Sequence, residues 1–389
     1  MNVSANPKPF IAIACGGTGG HLFPGLAVAQ QLLARGCDVA LLISPKDVDQ
    51  QAVKSVSGME MFTLPAVGLQ NRNYFSFAKS FWNSFRTARN VFKQHPPAAV
   101  LAMGGFTSAP PVFAAKLSGA KTFLHESNTI PGRANRLLAR FVDAAFIGFP
   151  ETATRLRAKK TLVTGTPVRL QFQLRIASDC RIALGLDANR ATVLVVGGSQ
   201  GARGLNDLIL SALPLLKDRD WQWLHLTGAN DFEKVKSAYA AHGIRAVVKP
   251  FFTEMGLALG AATAAVSRAG ASSLAETAAM RLPSLLVPLP TAADNHQFFN
   301  ARAFAVSGAA KMLEQNSPPE KVAAGLAEIV GDETARQTIK AALAQWHKVG
   351  AAEQIAENIL TGLGGSCSTV QKSLGKIGSP GQMNFRVVS

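Results

Sequence analysis

Two copies of one pattern constrain the fold of this 389-residue chain more than any other feature. An apolar run at residues 10–14 (FIAIA) leads into the turn GGTGGH at 16–21, and the run TVLVV at 192–196 leads into GGSQGAR at 197–203. Glycines let a backbone approach a phosphate group closely, and the helix that follows offers free N–H groups at its N-terminus. Each copy therefore predicts a strand, a turn and a helix that can bind a phosphate-bearing ligand. His21 stands where the first turn becomes a helix, a place where a proton acceptor can meet a sugar hydroxyl.

Further apolar runs alternate with helical patterns along both halves of the chain. This alternation predicts an α/β fold of two Rossmann-like, doubly wound parallel-sheet domains that face a central cleft. The remaining predicted strands are 39–43, 59–64, 98–103, 121–124 and 144–149 in the first half and 221–226, 245–249, 264–266 and 284–287 in the second.

The same pattern predicts where the domains begin and end. We expect a flexible leader at 1–9, a first domain at 10–164, a second domain at 165–363 and a disordered basic tail at 364–389. A linker is predicted at 159–169, and the last helices are expected to cross back to the first domain.

The composition is that of a well-packed globular protein, with 48% hydrophobic and 16% charged residues. No apolar run reaches the roughly 18 residues that a membrane span requires. The four cysteines are scattered without the paired spacing of a metal site, which is typical of a protein from a reducing cytoplasm.

The net charge of +16 is concentrated in the first half, where residues 1–165 hold 18 Lys and Arg against 7 Asp and Glu. Charge alone favours a nucleic acid and an anionic membrane surface about equally. The stretch 74–95 predicts a helix with aromatic residues on one face and cations beside them, a pattern typical of helices that bind a bilayer interface. The alternative is that these aromatic residues belong to the core. The predicted membrane-facing residues are Phe77, Phe81, Trp82, Phe85 and Arg86.

The second domain carries a run of small and polar residues after its predicted strand at 264–266. Residues 267–276 (SRAGASSLAE) predict a turn and the first turn of a helix, whose N–H groups suit a pyrophosphate. Glu276 can accept two hydrogen bonds from ribose hydroxyls. The alternative is an ordinary helix cap with a glutamate one turn later. The cluster DNHQ at 294–297 can likewise contact sugar hydroxyls or cap its own helix.

Three other classes of protein remain open on the residues alone. Asp38 lies about 20 residues after the first glycine turn, where a nicotinamide-dependent oxidoreductase holds a ribose, although the glycine spacing is not Gly-x-Gly-x-x-Gly. A UDP-sugar epimerase shares the two-domain architecture. A nucleic-acid-binding protein would use the charge, but it would leave the glycine turns unexplained.

The order of the motifs resembles that of the MurG family of GT-B N-acetylglucosaminyltransferases, over about residues 10–360. The resemblance implies inverting transfer of N-acetylglucosamine from UDP-N-acetylglucosamine to the muramoyl 4-hydroxyl of lipid I, which gives lipid II in peptidoglycan synthesis. The motifs that carry it are 16–21, HESN at 125–128, GTPVR at 165–169, 197–203, 267–276 and DNHQ at 294–297.

The family also implies the setting of this reaction. UDP-N-acetylglucosamine is then a substrate and no cofactor is needed. The sequence itself requires no metal, because Arg169 and the helix that begins near Ser272 are expected to stabilise the leaving group. The implied partners are UDP-N-acetylglucosamine, polyprenyl-linked lipid I and an anionic membrane surface, with other cell-wall synthesis proteins left open and no nucleic acid. The implied location is the cytoplasmic face of the inner membrane, as a peripheral protein.

Matching positions carry the family's site residues onto this sequence. Gly104, Gly105 and Ser108 form a second glycine turn, which is implied to contact the acceptor and its pyrophosphate. The residues implied to bind the donor are Thr18, Gly19, Gly20, Asn128, Arg169, Ser199, Phe252, Ala271, Ser272, Ser273, Leu274, Ala275, Glu276, His296 and Gln297.

Inverting glycosyl transfer needs a base for the acceptor hydroxyl and positive potential for the leaving diphosphate. His21 is the candidate base, because imidazole titrates near the working pH. Glu126 could orient or replace it. Arg169 and the helix that begins near Ser272 are expected to stabilise the leaving UDP. The alternative for His21 is a role in capping the helix or in contacting a phosphate.

Overall fold

Two parallel sheets covered by helices make up the part of the chain that the structure describes. The computed structural model describes residues 8–46, 49–50, 58–66, 74–198 and 201–364. The strand pairs in both sheets run parallel, so each strand is joined to the next by a crossover connection. The predicted α/β fold with two doubly wound parallel sheets is confirmed.

The first sheet has seven strands. Its elements are β1 (Phe10–Ala14), α1 (Gly19–Ala34), β2 (Asp38–Ile43), β3 (Glu60–Thr63), α2 (Tyr74–Gln94), β4 (Ala99–Ala102), α3 (Ala109–Leu117), β5 (Lys121–Glu126), α4 (Arg133–Leu138), β6 (Ala144–Ile147) and β7 (Thr161–Val163). The strand order is β3-β2-β1-β4-β5-β6-β7, so the winding reverses between β1 and β4. Such a reversal opens a crevice at the carboxyl ends of the two strands.

The second sheet has six strands in the order β10-β9-β8-β11-β12-β13, with its reversal between β8 and β11. Its strands are β8 (Ala191–Val196), β9 (Trp221–Leu226), β10 (Ala246–Lys249), β11 (Ala264–Ser267), β12 (Ser284–Leu286) and β13 (Lys311–Met312). The helices are α5 (Ala177–Ala183), α6 (Arg203–Leu216), α7 (Phe232–Ala241), α8 (Met255–Ala261), α9 (Ala271–Ala279), α10 (His296–Val306), α11 (Pro319–Gly331), α12 (Glu333–Trp346) and α13 (Ala351–Gly362).

Most of the predicted strands differ from the observed ones by one or two residues at an end, and three differences bear on the site or on the domain boundary. β5 continues to Glu126, so two residues predicted in a loop end a buried strand. β7 lies within the predicted linker, because its residues pair with β6 as the edge of the first sheet. β13 was not predicted, since two residues are too short for a period-two pattern to be visible.

The C-terminal helix α13 packs on the first domain. Ile355 and Ile359 lie in the same buried cluster as Leu22, Phe123 and Phe146. Helix α12, just before it, stays with the second domain, where Leu343 is 1% exposed. The chain therefore crosses between the domains twice among the residues that the structure describes, once after β7 and once after α12.

The face of α2 that the sequence predicts to meet a membrane is divided in the structure. Phe81 and Phe85 are half-buried against the core of the first domain, so the exposure predicted for them is wrong. Residues spaced by four share one side of a helix, and this side packs on the buried cluster, where Phe81 lies 6.3 Å from Phe113 of α3 between ring centroids. Phe77 is also half-buried, with its ring centroid 6.5 Å from that of Phe81. Trp82 is 58% exposed and Arg86 is exposed.

Candidate active site

Four segments rich in small residues each follow a strand beside one of the two reversals in strand order, and the two glycine turns of the first domain lie together at the cleft. The first glycine turn follows β1 and the second glycine turn follows β4, whereas Gly197 and Gly198 follow β8 and the turn at 268–270 follows β11. Ser272, in the first turn of α9, donates a hydrogen bond across the cleft to the carbonyl of Gly20, at 3.0 Å. The N-termini of α1 and α9 are therefore in direct contact.

His21 lies in the first turn of α1, against the second glycine turn. Its Nδ1 is 3.1 Å from the Oγ1 of Thr18. A Cβ atom at Gly104 would stand 2.9 Å from its Nε2, and one at Gly105 would stand 3.2 Å from its Nδ1. Burial lowers the pKa of His21 to about 4, with a further lowering from His296 and an opposing effect of a nearby carboxylate. The imidazole is therefore neutral at neutral pH.

A buried carboxylate holds the first glycine turn in place. Asp49 Oδ2 accepts hydrogen bonds from the Gly17 N–H at 2.7 Å and from the Ser44 hydroxyl at 2.5 Å. Thr107 donates to the Gly16 carbonyl at 2.7 Å. The sequence does not single out Asp49 or Thr107, because their partners lie 32 and 91 residues away along the chain.

Ser108 of the second glycine turn is fully buried. Its hydroxyl donates to the Gly104 carbonyl at 2.6 Å and accepts from the Gly104 N–H at 3.0 Å. This side chain shapes the turn, whereas Gly104 and Gly105, with φ of 111° and 75°, supply the left-handed backbone.

Glu126, at the end of β5, is 3% exposed and accepts four hydrogen bonds. Its Oε1 accepts from the backbone N–H of Asn128 at 2.9 Å and from the side-chain amide of the same residue at 3.1 Å. Its Oε2 accepts from the Gly132 N–H and from the Asn135 amide, both at 2.9 Å. These bonds commit the carboxylate to holding the loop at 127–132.

Arg169 and Glu276 form an ion pair at the second domain's side of the cleft, with 3.5 Å between Nη2 and Oε1. The guanidinium also lies 3.9 Å from the ring centroid of Phe23 in α1. Burial raises the pKa of Glu276 to about 7, although the positive charge of Arg169 acts in the opposite direction. The carboxyl therefore changes its charge near neutral pH.

The other predicted donor residues lie in or near α9 and α10. Leu274 has a buried side chain in the core of the second domain, which leaves its backbone to contact a ligand. Gln297 accepts a hydrogen bond from the Leu289 N–H at 3.0 Å. Phe252 is half-buried, with the ammonium of Lys249 5.1 Å from its ring centroid. The remaining members of the set are Ala271, which is buried, and Thr18, Gly19, Ser272, Ser273, Ala275 and His296, which are half-buried or exposed. Ser199 lies outside the described residues.

Two further polar residues of the cleft are not among the predicted site residues. Arg268 is 7% exposed, donates to the carbonyls of Val287 and Pro288 and to Gln315, and is placed just before α9. Arg268 lies within the motif at 267–276, but the local pattern does not indicate its role, because its hydrogen-bond partners lie 19 to 47 residues away along the chain. Asn300 is fully buried in α10 and hydrogen-bonds to Thr129 of the first domain. No motif of the sequence contains Asn300, so nothing in the local pattern indicates its role.

Two facing Rossmann-like domains, with glycine turns at the cleft between them, have the architecture of the GT-B fold, and the family matches identify the class of protein as a glycosyltransferase. The chain matches the glycosyltransferase family 28 N-terminal domain over residues 11–147 and the corresponding C-terminal domain over residues 192–357.

Curated relatives and a solved structure agree with these matches. A UDP-N-acetylglucosamine–N-acetylmuramyl-(pentapeptide) pyrophosphoryl-undecaprenol N-acetylglucosamine transferase of Pelobacter propionicus is 34% identical, over 90% of this chain and 99% of its own length. The protein of the same name from Citrifermentans bemidjiense is 37% identical, over 82% and 90%. The crystal structure of Acinetobacter baumannii MurG superposes with a TM-score of 0.71 at 28% identity, over 91% of this chain and all of that one. The chain belongs to glycosyltransferase family 28 and, within it, to the MurG family.

Proposed function

We propose that this protein transfers N-acetylglucosamine from UDP-N-acetylglucosamine to the muramoyl 4-hydroxyl of lipid I, and so makes lipid II. The observation that carries the proposal is the name shared by relatives that are 34% and 37% identical over most of the chain. The contact between Gly20 and Ser272 supports it, because it puts the histidine side and the nucleotide side of the cleft within reach of one substrate pair.

His21 is the proposed base for the acceptor hydroxyl. The neutral imidazole that burial favours is the form that accepts a proton. In the tautomer whose Nδ1–H donates to Thr18, Nε2 carries the free lone pair, and Gly104 places no side chain against that atom. Glu126 then has a positioning role, since its oxygens are occupied by the loop at 127–132.

The donor is proposed to lie along α9. The free N–H groups at the N-terminus of this helix suit the diphosphate, and they stabilise the negative charge that develops as UDP leaves. Arg169 adds positive charge beside Glu276, whose ionised form can accept the ribose hydroxyls. His296 and Gln297, at the start of α10, are proposed to contact the sugar.

The acceptor is proposed to reach the cleft from a membrane surface through the outer side of α2 and its neighbours. Phe75 is 84% exposed, Trp82 58% and Leu117 71%. The exposed cations Arg86 and Lys79 lie on the same helix, an arrangement that suits an anionic bilayer interface. Among the helices of the described residues, none has the length and apolar character needed to cross a membrane.

The function is tested with labelled UDP-N-acetylglucosamine and a lipid I analogue. We expect label in a lipid II product and one UDP released for each sugar transferred. The Asp207→Asn variant serves as a matched control, because Asp207 pairs with Lys234 on the surface of the second domain. Binding of the nucleotide sugar without transfer to the acceptor would overturn the proposal, as would conversion of the free nucleotide sugar into an epimer.

A further inference from the structure

Asn300, in the second turn of α10, is a fully buried amide that joins the two domains. Its Oδ1 accepts hydrogen bonds from the N–H and the hydroxyl of Thr129, both at 3.0 Å. Its Nδ2 donates to Asn128 Oδ1 at 3.0 Å and to the Ala269 carbonyl at 3.1 Å. An amide rotated by half a turn would bring its NH₂ group against the Thr129 donors and its oxygen against two acceptors, so this orientation is determined by its partners.

The orientation of the Asn300 amide fixes the orientation of the Asn128 side chain, which it contacts from the second domain. The side-chain oxygen of Asn128 accepts from Asn300, and its Nδ2 donates to Glu126 Oε1 at 3.1 Å. The amide of Asn128 is therefore held between a donor of the second domain and an acceptor of the first. One N–H of its NH₂ group remains to donate to a ligand.

Independent contacts hold α10 and its preceding turn against the same part of the first domain. Asp294 pairs with Arg133 at 3.2 Å and with Arg136 at 2.5 Å. Arg155 of the first domain donates to the Thr129 carbonyl at 3.0 Å, and its guanidinium lies 5.7 Å from the ring centroid of Phe299. The loop that carries Asn128 is thus fixed at Thr129 by two residues, since Asn300 accepts from its N–H and hydroxyl and Arg155 donates to its carbonyl.

We propose that Asn300 is a positioning residue for the donor sugar, because it orients the Asn128 amide so that an N–H faces the sugar when the domains are together. A residue of the second domain thereby orients a residue of the first domain that contacts the sugar. Since Ala269 lies in the turn that leads into α9, the same amide also connects this contact to the diphosphate side of the cleft. The inference rests on the proposed function in one respect, namely that Asn128 contacts the donor sugar.

The test compares the affinities of UDP and UDP-N-acetylglucosamine by calorimetry, because only the second ligand carries the sugar. For Asn300→Ala we expect affinity for UDP-N-acetylglucosamine to fall about tenfold, the value of roughly one hydrogen bond, while affinity for UDP is unchanged. In an Asn128→Ala background the same substitution is expected to cost nothing further, because the residue through which it acts is gone.

Gln222→Ala provides the matched control. Gln222 is also a buried amide of the second domain, 3% exposed, but its hydrogen bonds stay within that domain. We expect Gln222→Ala to lower the stability of the protein but to leave the ratio of the affinities for UDP and UDP-N-acetylglucosamine unchanged. Should Asn300→Ala fail to fold, Thr129→Val removes one donor to the Asn300 oxygen, and we expect about a threefold loss that is again specific to the sugar-bearing ligand.

Equal losses for UDP and UDP-N-acetylglucosamine in Asn300→Ala would overturn the inference and assign the residue a structural role. Losses that add in the double variant would also overturn it. If Asn128→Ala binds UDP-N-acetylglucosamine as the wild type does, the sugar contact itself is wrong. Failure of the wild-type protein to transfer the sugar to lipid I, with these affinities as expected, would instead overturn only the proposed function.

Discussion

The imidazole of His21 lies against the backbone of Gly104, where a Cβ atom would stand 2.9 Å from Nε2. Gly104 also has a φ of 111°, which an L side chain rarely adopts. For Gly104→Ala we therefore expect kcat to fall at least about tenfold as the ring is displaced, with UDP affinity retained. Gly119→Ala is the control, since Gly119 has a φ of 75° and a Cβ atom there would meet nothing within 4 Å. An unchanged kcat in Gly104→Ala would contradict the close packing.

Replacement of His21 by Ala tests its role as the base. We expect kcat to fall about a hundredfold or more, which is typical for a lost general base, while donor affinity is kept. In the wild type, kcat at saturating donor should stay level as the pH falls to about 5, because burial lowers the His21 pKa to about 4. His242→Ala, at an exposed histidine of the second domain, should leave kcat unchanged. Unaltered turnover in His21→Ala would remove the residue from this role.

Glu276 is expected to make both stability and donor affinity depend on pH near 7. Its folded pKa of about 7 is raised above the ordinary value of 4.5, so between these values the folded state holds a proton that the unfolded state has lost. The free energy of unfolding should therefore fall as the pH rises from about 4.5 through 7, by up to about 3 kcal/mol. Denaturant titrations at several pH values measure this change.

Glu276→Gln should abolish that pH dependence, since glutamine does not titrate. Affinity for UDP-N-acetylglucosamine should rise with pH through 7 in the wild type, because the ionised carboxylate is the better acceptor for ribose hydroxyls. In Glu276→Gln the affinity should be lower and level with pH. A wild-type stability profile that is flat between pH 5 and pH 8 would contradict the raised pKa.

Asp294 combines two interdomain ion pairs with a left-handed backbone, at a φ of 49°. Asn tolerates this conformation, so Asp294→Asn removes only the charge. We expect it to cost less than about 1 kcal/mol in free energy of unfolding, because Arg133 is 82% exposed and water screens the pair. Asp294→Ala should cost about 1 kcal/mol more, since it adds backbone strain. The difference between the two variants, measured at high salt, isolates the strain.

The exposed aromatic residues of α2 should contribute to membrane binding. We expect the double variant Phe75→Ser and Trp82→Ser to bind anionic vesicles several-fold more weakly and to stay folded, since Phe75 is 84% exposed and Trp82 58%. Phe81→Ser should instead lower the free energy of unfolding, because its ring packs on the core. Val306→Ser, at an 81% exposed apolar residue of α10, is the control and should not affect vesicle binding. Unchanged binding in the folded double variant would rule out this surface.

The architecture is largely predictable because its signals are local. An apolar run followed by glycines and a helical pattern needs only neighbouring residues to be recognised, and the parallel sheets follow from the alternation of such units. The edge strands β7 and β13 escape prediction because three and two residues carry too little pattern. The predicted bounds of helix α2 agree with the structure to within one residue at its end, but its amphipathic pattern does not say which aromatic residues face the sheet.

The sequence by itself determined the positions of the glycine turns, with His21 at the end of the first and Glu276 after the small-residue turn of the second domain. The order of these motifs also indicated the family. Only the tertiary structure decided which polar groups form hydrogen bonds to the residues of the turns and loops around the cleft. Asp49 reaches Gly17, and Asn300 reaches Asn128 across 172 residues of chain. The physical reason is that a hydrogen bond between distant segments leaves no periodic trace in the sequence, whereas burial makes its loss costly in the folded protein.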